Sequence, residues 1–141
     1  MGTLEKGSYI LLIELASSKD ILVGKLGYIS FPKAFYAYIG SAMNGFKSRL
    51  SRHLRKEKRF HWHIDYLLEE AKLVEVILCP GEQREECILS QALAKSFDSI
   101  PGFGSTDCRC GSHLYFDEDK GRLEAGVRKA CESDVILGRH S

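Results

Sequence analysis

The sequence lacks the features that mark membrane and secreted proteins. It contains no stretch of eighteen apolar residues, and the apolar run at 9–15 is too short to cross a bilayer. We therefore expect no membrane partner, and we recognise no signal peptide. The five cysteines form an odd set without the spacing of a disulfide framework, which predicts a reducing, cytoplasmic setting.

Several familiar catalytic signatures are missing as well. The chain has no Gly-rich nucleotide loop, no Ser/His/Asp triad and no dinucleotide-binding fingerprint. Repeats, linkers and low-complexity segments are also missing. With 141 residues, 44% apolar and 28% charged, the composition predicts one soluble globular domain over 1–141.

Interleaved strands and helices, with a hairpin near the start, predict a mixed α/β or α+β domain, and we expect a small, mostly antiparallel central sheet flanked by helices. The predicted strands are 8–15, a hairpin within 21–31, 35–39, 73–78 and 113–116. The predicted helices are 44–55, 61–71, 82–97 and 122–131.

Charge is strongly polarised along the chain, although the formal net charge is only +1. Residues 47–59 carry seven Lys or Arg against one acid, whereas residues 65–86 carry seven acids against two basic residues. A basic block of this kind is typical of nucleic-acid-binding proteins. A solvated helix face is the alternative interpretation.

Helical spacing singles out two residues of this block. Phe46, Leu50 and Leu54 share one side of the predicted helix, and Arg49 and His53 lie one turn apart at its rim. The planar guanidinium of Arg49 can pair two phosphate oxygens. We expect nucleic acid, DNA favoured, to contact Gly40, Ser41, Lys47, Arg52, Arg55, Lys56, His61 and Trp62. For Trp62, packing under a loop is the alternative.

Glu86 falls on the inward side of the predicted helix 82–97. Burying a carboxylate costs several kcal/mol unless it is paired or binds a metal, so Glu86 is a candidate ligand for Mg²⁺ or Mn²⁺. The alternative is that acids favour the first turn of any helix through its dipole. Glu82 and Glu85 are the substitute ligands if the helix begins elsewhere.

Tyr9 and Tyr38 lie on predicted strands that can pair, which would bring two phenols near one end of the sheet. A tyrosine that accepts a proton needs its pKa lowered by a nearby cation. Two tyrosines on strands are otherwise ordinary, so both interpretations stay open.

Taken together, these residues resemble the GIY-YIG nuclease superfamily. The elements of the resemblance are Gly7-Ser8-Tyr9, Tyr38-Ile39-Gly40, the helix with Arg49 and His53, and Glu86 on a later helix. More closely, the chain resembles a small uncharacterised prokaryotic family with a GIY-YIG-like core. That likeness covers most of the chain through the blocks YAYIGSAMNG, SRHLR, HWHIDYLL, REEC and FGSTDCRCGSHLYF.

The resemblance implies a metal-dependent endonuclease. Tyr9 matches the proposed general base and Tyr38 the second motif tyrosine, while Gly40 permits close approach of the backbone to substrate. Arg49 matches a phosphate-contacting arginine. The catalytic set implied by the family is Tyr9, Tyr38, Arg49, His53 and Glu86, with Glu86 binding the metal.

Three departures from the family pattern bear on the enzyme expectation. Ser8 replaces an aliphatic residue of the first motif, and Ser41 stands where repair nucleases often have Lys. The 28 residues between Tyr9 and Tyr38 far exceed the usual interval, which predicts a GIY-YIG-like fold with an inserted N-terminal hairpin. A domain of this fold that binds nucleic acid without cutting it is therefore the alternative function.

Two further clusters carry potential ligands. Cys108, Cys110 and His113 lack the spacing of common zinc modules, so we favour buried reduced thiols over a Zn²⁺-binding interaction module. His61 and Asp65 lie one turn apart on the predicted second helix, and we favour a polar pair beside the cleft over metal binding. His63 points away from that pair.

Overall fold

The computed structural model describes residues 7–42, 63–80, 86–104 and 111–140. Seven strands and three α-helices lie within these residues, in an α+β arrangement. The strands are β1 (Gly7–Leu15), β2 (Lys19–Leu22), β3 (Tyr28–Phe31), β4 (Ala34–Ala42), β5 (Lys72–Pro80), β6 (Asp98–Ser99) and β7 (Leu114–Asp117). The helices are α1 (His63–Glu70), α2 (Glu86–Ala94) and α3 (Lys120–His140), and a short 3₁₀ turn spans Gly24–Leu26.

The central sheet has five strands in the order β5-β1-β4-β7-β6. Every neighbouring pair in it is antiparallel, which confirms the predicted sheet type. Strand β1 lies between β5 and β4 and is almost wholly buried, as its continuous apolar sequence predicts. Strands β2 and β3 form a separate two-stranded hairpin inserted between β1 and β4, and this insertion was also predicted.

Successive side chains of a strand point to opposite faces of the sheet, so the core is divided between its two faces. Side chains of one face, here called the tyrosine face, include Tyr9, Tyr36 and Tyr38 and pack against α1 and the hairpin. The opposite face, called the cysteine face, is mainly aliphatic, includes Cys79, and packs against α2 and α3. Ile64 and Leu67 of α1 and Leu89 and Leu93 of α2 are all buried.

One pair of cysteines corrects the expectation that the cysteines of this chain are all reduced. Cys79 on β5 and Cys131 on α3 form a disulfide with Cα atoms 5.8 Å apart. The two positions are separated by 52 residues, so linear spacing gave no sign that a strand and a later helix would bring them together. The Cys131 sulfur also lies 3.7 Å from the Leu78 carbonyl oxygen.

Most element boundaries differ from the predicted ones by a few residues, and α2 ends at Ala94 rather than near Phe97; two further differences have a physical cause. Helix α3 continues to His140 rather than stopping near Cys131, because the intervening sequence contains no proline to end it. Strand β6 has only two residues and was not predicted, since two residues carry no periodic signal. No helix in the described part of the chain is long and apolar enough to span a membrane.

Candidate functional site

The residues of both tyrosine motifs meet at one end of the sheet. Gly7 at the start of β1 pairs with Ala42 at the end of β4 and with Pro80 at the end of β5. We call this edge the motif end. His113, the residue before β7, also joins it, since the Ile39 N–H donates to the His113 carbonyl at 2.9 Å.

Tyr9 lies across Gly40. The two residues are direct partners in the β1–β4 register, and a Cβ atom added to Gly40 would lie 2.3 Å from the Tyr9 ring carbon Cζ. Real Cβ contacts are never that short, so only glycine fits beneath this ring. The close approach that Gly40 permits here is that of the Tyr9 side chain.

Tyr38 is the more accessible of the two motif phenols. It lies two residues from Gly40 on the same face as Tyr9, a diagonal neighbour across the strand pair. Its residue is 8% exposed, whereas Tyr9 is 0% exposed. The predicted pairing of the two strands is confirmed, and of these two phenols Tyr38 is the better placed to meet a ligand.

A turn at 101–104 supports Tyr38 from the side. The Phe103 ring meets the Tyr38 ring edge-on with centroids 6.2 Å apart. Gly104 has a positive φ of 72°, and a Cβ on it would lie 3.0 Å from Tyr38 Cε1. Glycine at this position therefore satisfies both the left-handed backbone and the close packing.

His63 is the functional-site candidate that sequence reasoning missed. Its Nδ1 accepts a 2.8 Å hydrogen bond from the Gly104 N–H, and its ring meets the Phe103 ring edge-on with centroids 5.5 Å apart. Burial lowers the pKa of His63, and a proton on Nδ1 would break that bond. The imidazole is therefore held neutral, with Nε2–H as its donor.

The signal for His63 was present in the sequence. It precedes the buried Leu67 by four residues, so it lies on the inward side of α1. The sequence analysis instead weighed His61 with Asp65. Asp65 is fully buried, and His61 lies outside the described residues, so that predicted pair stays a prediction.

Two serines at the motif end carry buried hydroxyls. Ser8 and Ser41 are cross-strand partners, and neither Oγ has a hydrogen-bond partner within the described structure. Ser8 also pairs with Cys79, which places the serines on the cysteine face. The Ser41 hydroxyl is therefore on the opposite side of the sheet from the Tyr9 ring.

Helix α2 approaches the motif end from the cysteine face. Leu89 and Leu93 pack on that face, and the Ser90 hydroxyl donates to the Ser112 carbonyl at 2.5 Å. Ser112 is adjacent to His113, whose carbonyl accepts the hydrogen bond from the Ile39 N–H of β4. Glu86 is the first residue of α2, one turn before Ser90; its side chain lies outside the described residues.

Most of the predicted basic surface lies outside the described residues. This applies to the predicted helix 44–55 and to Lys47, Arg49, Arg52, His53, Arg55, Lys56, His61 and Trp62. Their roles stay predictions. The structure describes Tyr9, Tyr38, Gly40 and Ser41, and it brings all four to the motif end.

The metal predictions rest largely on side chains outside the described set. Among described residues there is no group of three or more His, Cys, Asp or Glu that could hold a metal ion. Cys108 and Cys110 lie outside the described residues, and His113 is only 6% exposed. The interpretations of Glu86 and of the Cys108, Cys110 and His113 cluster therefore stay open.

A surface depression at the opposite end of the sheet is a poorer candidate for phosphate. It has a volume of about 480 Å³ and includes Glu14, Ser18, Lys33 and Glu118 in its lining. Two carboxylates against one ammonium group disfavour an anionic ligand. The motif end is therefore the stronger candidate site.

Comparison with known proteins assigns the chain to a family. Residues 8–135 match the family model described as "Domain of unknown function DUF123". The chain belongs to this family. No curated protein and no solved structure matches it. The DUF123 match begins at Ser8, beside the first motif tyrosine, and ends within α3, so it includes every motif-end residue described above except Gly7.

Proposed function

We propose that this DUF123 chain is a nucleic-acid-binding domain of the GIY-YIG kind that hydrolyses phosphodiester bonds, with DNA the favoured substrate. The observation that supports this most is the placement of Tyr9 over Gly40 with Tyr38 beside it on the same face. The two motifs of the resemblance are 28 residues apart, yet their tyrosines share one end of one face.

The reaction needs a nucleophilic water, a proton acceptor and positive charge near the developing phosphorane. In this proposal Tyr38 orients or deprotonates the water, because it is less buried than Tyr9. Tyr9 fills the space above Gly40 and holds the two strands in register. Arg49 pairs the phosphate oxygens, with His53 beside it.

A divalent cation fits the donor chemistry of Glu86. Mg²⁺ prefers carboxylate oxygens and commonly takes only one or two of them, completing its shell with water and phosphate. When bound, Mg²⁺ or Mn²⁺ would neutralise charge on the reacting phosphate. Because α2 packs on the cysteine face, the proposal requires a metal held at the start of α2 to act on a phosphate at the tyrosine face.

Cleavage assays test the catalytic part of the proposal. Purified protein is incubated with nicked, branched and single-stranded DNA and Mg²⁺, with and without chelator. We expect Glu86→Gln to reduce cleavage more than about 100-fold, since metal ions supply several kcal/mol of transition-state stabilisation. Glu118→Gln, an exposed carboxylate beyond β7, is the matched control and should retain activity. Identical, metal-independent background in wild type and Glu86→Gln would refute catalysis.

A second candidate function is nucleic-acid binding without cleavage. It is favoured by the complete burial of Tyr9 and by the position of α2 on the opposite face. This alternative predicts salt-sensitive binding that weakens in an Arg52→Glu, Arg55→Glu double variant. Lys95→Glu combined with Lys129→Glu makes the same change of charge outside the predicted basic block 47–59 and should bind as wild type does.

The same proposal sets the cellular context. We propose that such a domain acts on nucleic acid in the cytoplasm, with DNA repair as the process that its resemblance suggests. This location no longer rests on the cysteines, because Cys79 and Cys131 form a disulfide. Zinc binding at Cys108, Cys110 and His113 is tested separately by elemental analysis of the purified chain.

A further inference from the structure

The outer face of the β2–β3 hairpin exposes a cluster of large apolar side chains. Tyr28 is 76% exposed, Leu22 49% and Leu26 37%. Leu22 and Tyr28 are direct cross-strand partners, so their side chains stand together. The neighbouring partners Ile21 and Ile29 point the other way, into the core. We call Leu22, Leu26 and Tyr28 the hairpin patch.

The hairpin patch is held in place rather than loosely presented. The Val23 N–H donates to the Gly27 carbonyl and the Leu26 N–H to the Val23 carbonyl, both at 2.9 Å. A Cβ on Gly24 would lie 3.5 Å from the Tyr66 hydroxyl oxygen, so the tip rests on α1. A fixed aromatic surface loses little entropy when a ligand binds.

The patch is continuous with the motif end. Leu26 Cδ2 lies 3.8 Å from where a Cβ of Gly102 would be. The next residue, Phe103, contacts the Tyr38 and His63 rings. Only the turn at 102–104 therefore separates the hairpin patch from the more accessible motif tyrosine.

Charge around the patch suits an anionic chain. Lys25, at the tip, is exposed and forms no ion pair with another residue in the described ranges. The carboxylate of Asp20 is engaged by the Ser30 hydroxyl at 2.7 Å. The other hairpin cation, Lys19, lies 3.3 Å from Glu70, so Lys25, three residues before Tyr28 in the sequence, is the hairpin cation without an ion pair among the described residues.

We propose that the hairpin patch is a stacking platform for unpaired bases of a nucleic acid held at the motif end. Tyr28 stacks on a base, Leu22 and Leu26 form the apolar floor, and Lys25 contacts a neighbouring phosphate. This rests on the nucleic-acid binding proposed above and adds a substrate class, strands with an unpaired segment. Three side chains supply far less than the roughly 800 Å² per partner of a stable protein interface, which favours a base over a protein.

The test compares three fluorescent DNA probes bound to the full chain. The probes are a single strand, a fork with one unpaired arm, and a blunt duplex. We expect Tyr28→Ala to weaken binding of the single strand and the fork about 10-fold and to leave duplex affinity unchanged. Tyr28→Phe should retain wild-type affinity, because its ring still stacks. Ile88→Ala removes a comparably exposed apolar side chain on α2 (54% exposed) and should have no effect.

The possible failures separate this proposal from the one it rests on. If wild type binds none of the probes, both nucleic-acid binding and base stacking are overturned. If wild type binds but Tyr28→Ala matches it on every probe, or weakens all three equally, the stacking role alone is overturned. A dimer in sedimentation that dissociates on Tyr28→Ala would instead assign the patch to a second copy of the chain. Thermal melts equal to wild type establish that the exposed substitution leaves the fold intact.

Discussion

The two faces of the central sheet are built from different chemistry. The tyrosine face holds Tyr9, Tyr36 and Tyr38 and is covered by an eight-residue helix and a hairpin. The cysteine face is mainly aliphatic and is covered by α2 and by the 21-residue helix α3. The tyrosine face thus carries the phenols of the two motifs, while the cysteine face combines aliphatic burial with the buried hydroxyl of Ser8 and a covalent link.

The tyrosine face itself contains two kinds of phenol. Tyr36 is fully buried, donates its hydroxyl proton to the Pro32 carbonyl, and has its pKa raised by burial. It is therefore a structural residue. Tyr38 lies nearer the motif end and is partly accessible. Tyr36 and Tyr38 lie on the same face and differ in their position along the sheet. That position therefore helps to decide which tyrosine can contact a substrate.

The largest expected effect comes from breaking the covalent link of the cysteine face. Reduction of the Cys79–Cys131 disulfide, or Cys131→Ser, should lower the free energy of unfolding by about 4 kcal/mol, the value that chain-entropy arguments give for a loop of this length. The disulfide spans 52 residues. Urea unfolding with and without reductant measures the change. Cys108→Ser, which leaves the pair intact, is the control.

Mapping of free thiols decides the same point independently. Without reductant, Cys79 and Cys131 should resist alkylation in the unfolded chain. Full alkylation of both, with an unfolding midpoint that does not respond to reductant, would contradict the link.

The second prediction overpacks the tyrosine face. Gly40→Ala should destabilise the fold by about 3 kcal/mol, near the upper end for overpacking, because the new Cβ would lie 2.3 Å from the buried Tyr9 ring. Gly126→Ala on α3 is the cysteine-face counterpart, with Phe97 at 2.6 Å. There the gain in helix propensity of about 1 kcal/mol and a partly exposed ring reduce the loss.

A double-mutant cycle locates the cause of the Gly40→Ala effect. Gly40→Ala combined with Tyr9→Leu should be less destabilised than the sum of the single changes, since the smaller side chain makes room. Gly111→Ala, which has no atom within 4 Å of the added Cβ, should leave the urea midpoint unchanged. Additive losses in the cycle would mean that Tyr9 does not restrict position 40.

Local sequence patterns were sufficient to predict a mixed α and β domain and most of its elements, but not the order of the strands. The continuous apolar run of β1, the hairpin before Pro32 and the inward leucines of α1 and α2 all follow from local patterns. The Cys79–Cys131 contact does not, because it depends on how α3 crosses β5. Strand β6 is too short to carry a period.

The candidate site was predictable only in part. The motif tyrosines and Gly40 could be named from adjacent residues, and β-pairing then brings them together. His63 could not be assigned a partner in that way, because its hydrogen bond reaches 41 residues along the chain to Gly104. The burial of Tyr9 beneath its neighbours is likewise a result of tertiary packing, which the motif itself does not encode.

The smallest expected effect concerns pH and the His63 imidazole. Burial lowers its pKa in the folded state, whereas the unfolded chain titrates near 6.5. The unfolded state therefore binds more protons than the folded state as the pH falls, so the contribution of His63 to the free energy of unfolding is present above about pH 6.5 and is lost below it.

His63→Asn is the matched variant, since Oδ1 can accept the hydrogen bond from the Gly104 N–H but does not titrate. Urea midpoints at pH 7.5 and 5.5 should fall more in wild type than in His63→Asn, while Lys129→Ala should follow wild type. Equal falls in wild type and His63→Asn would show that the neutral imidazole does not contribute to the stability of the tyrosine face.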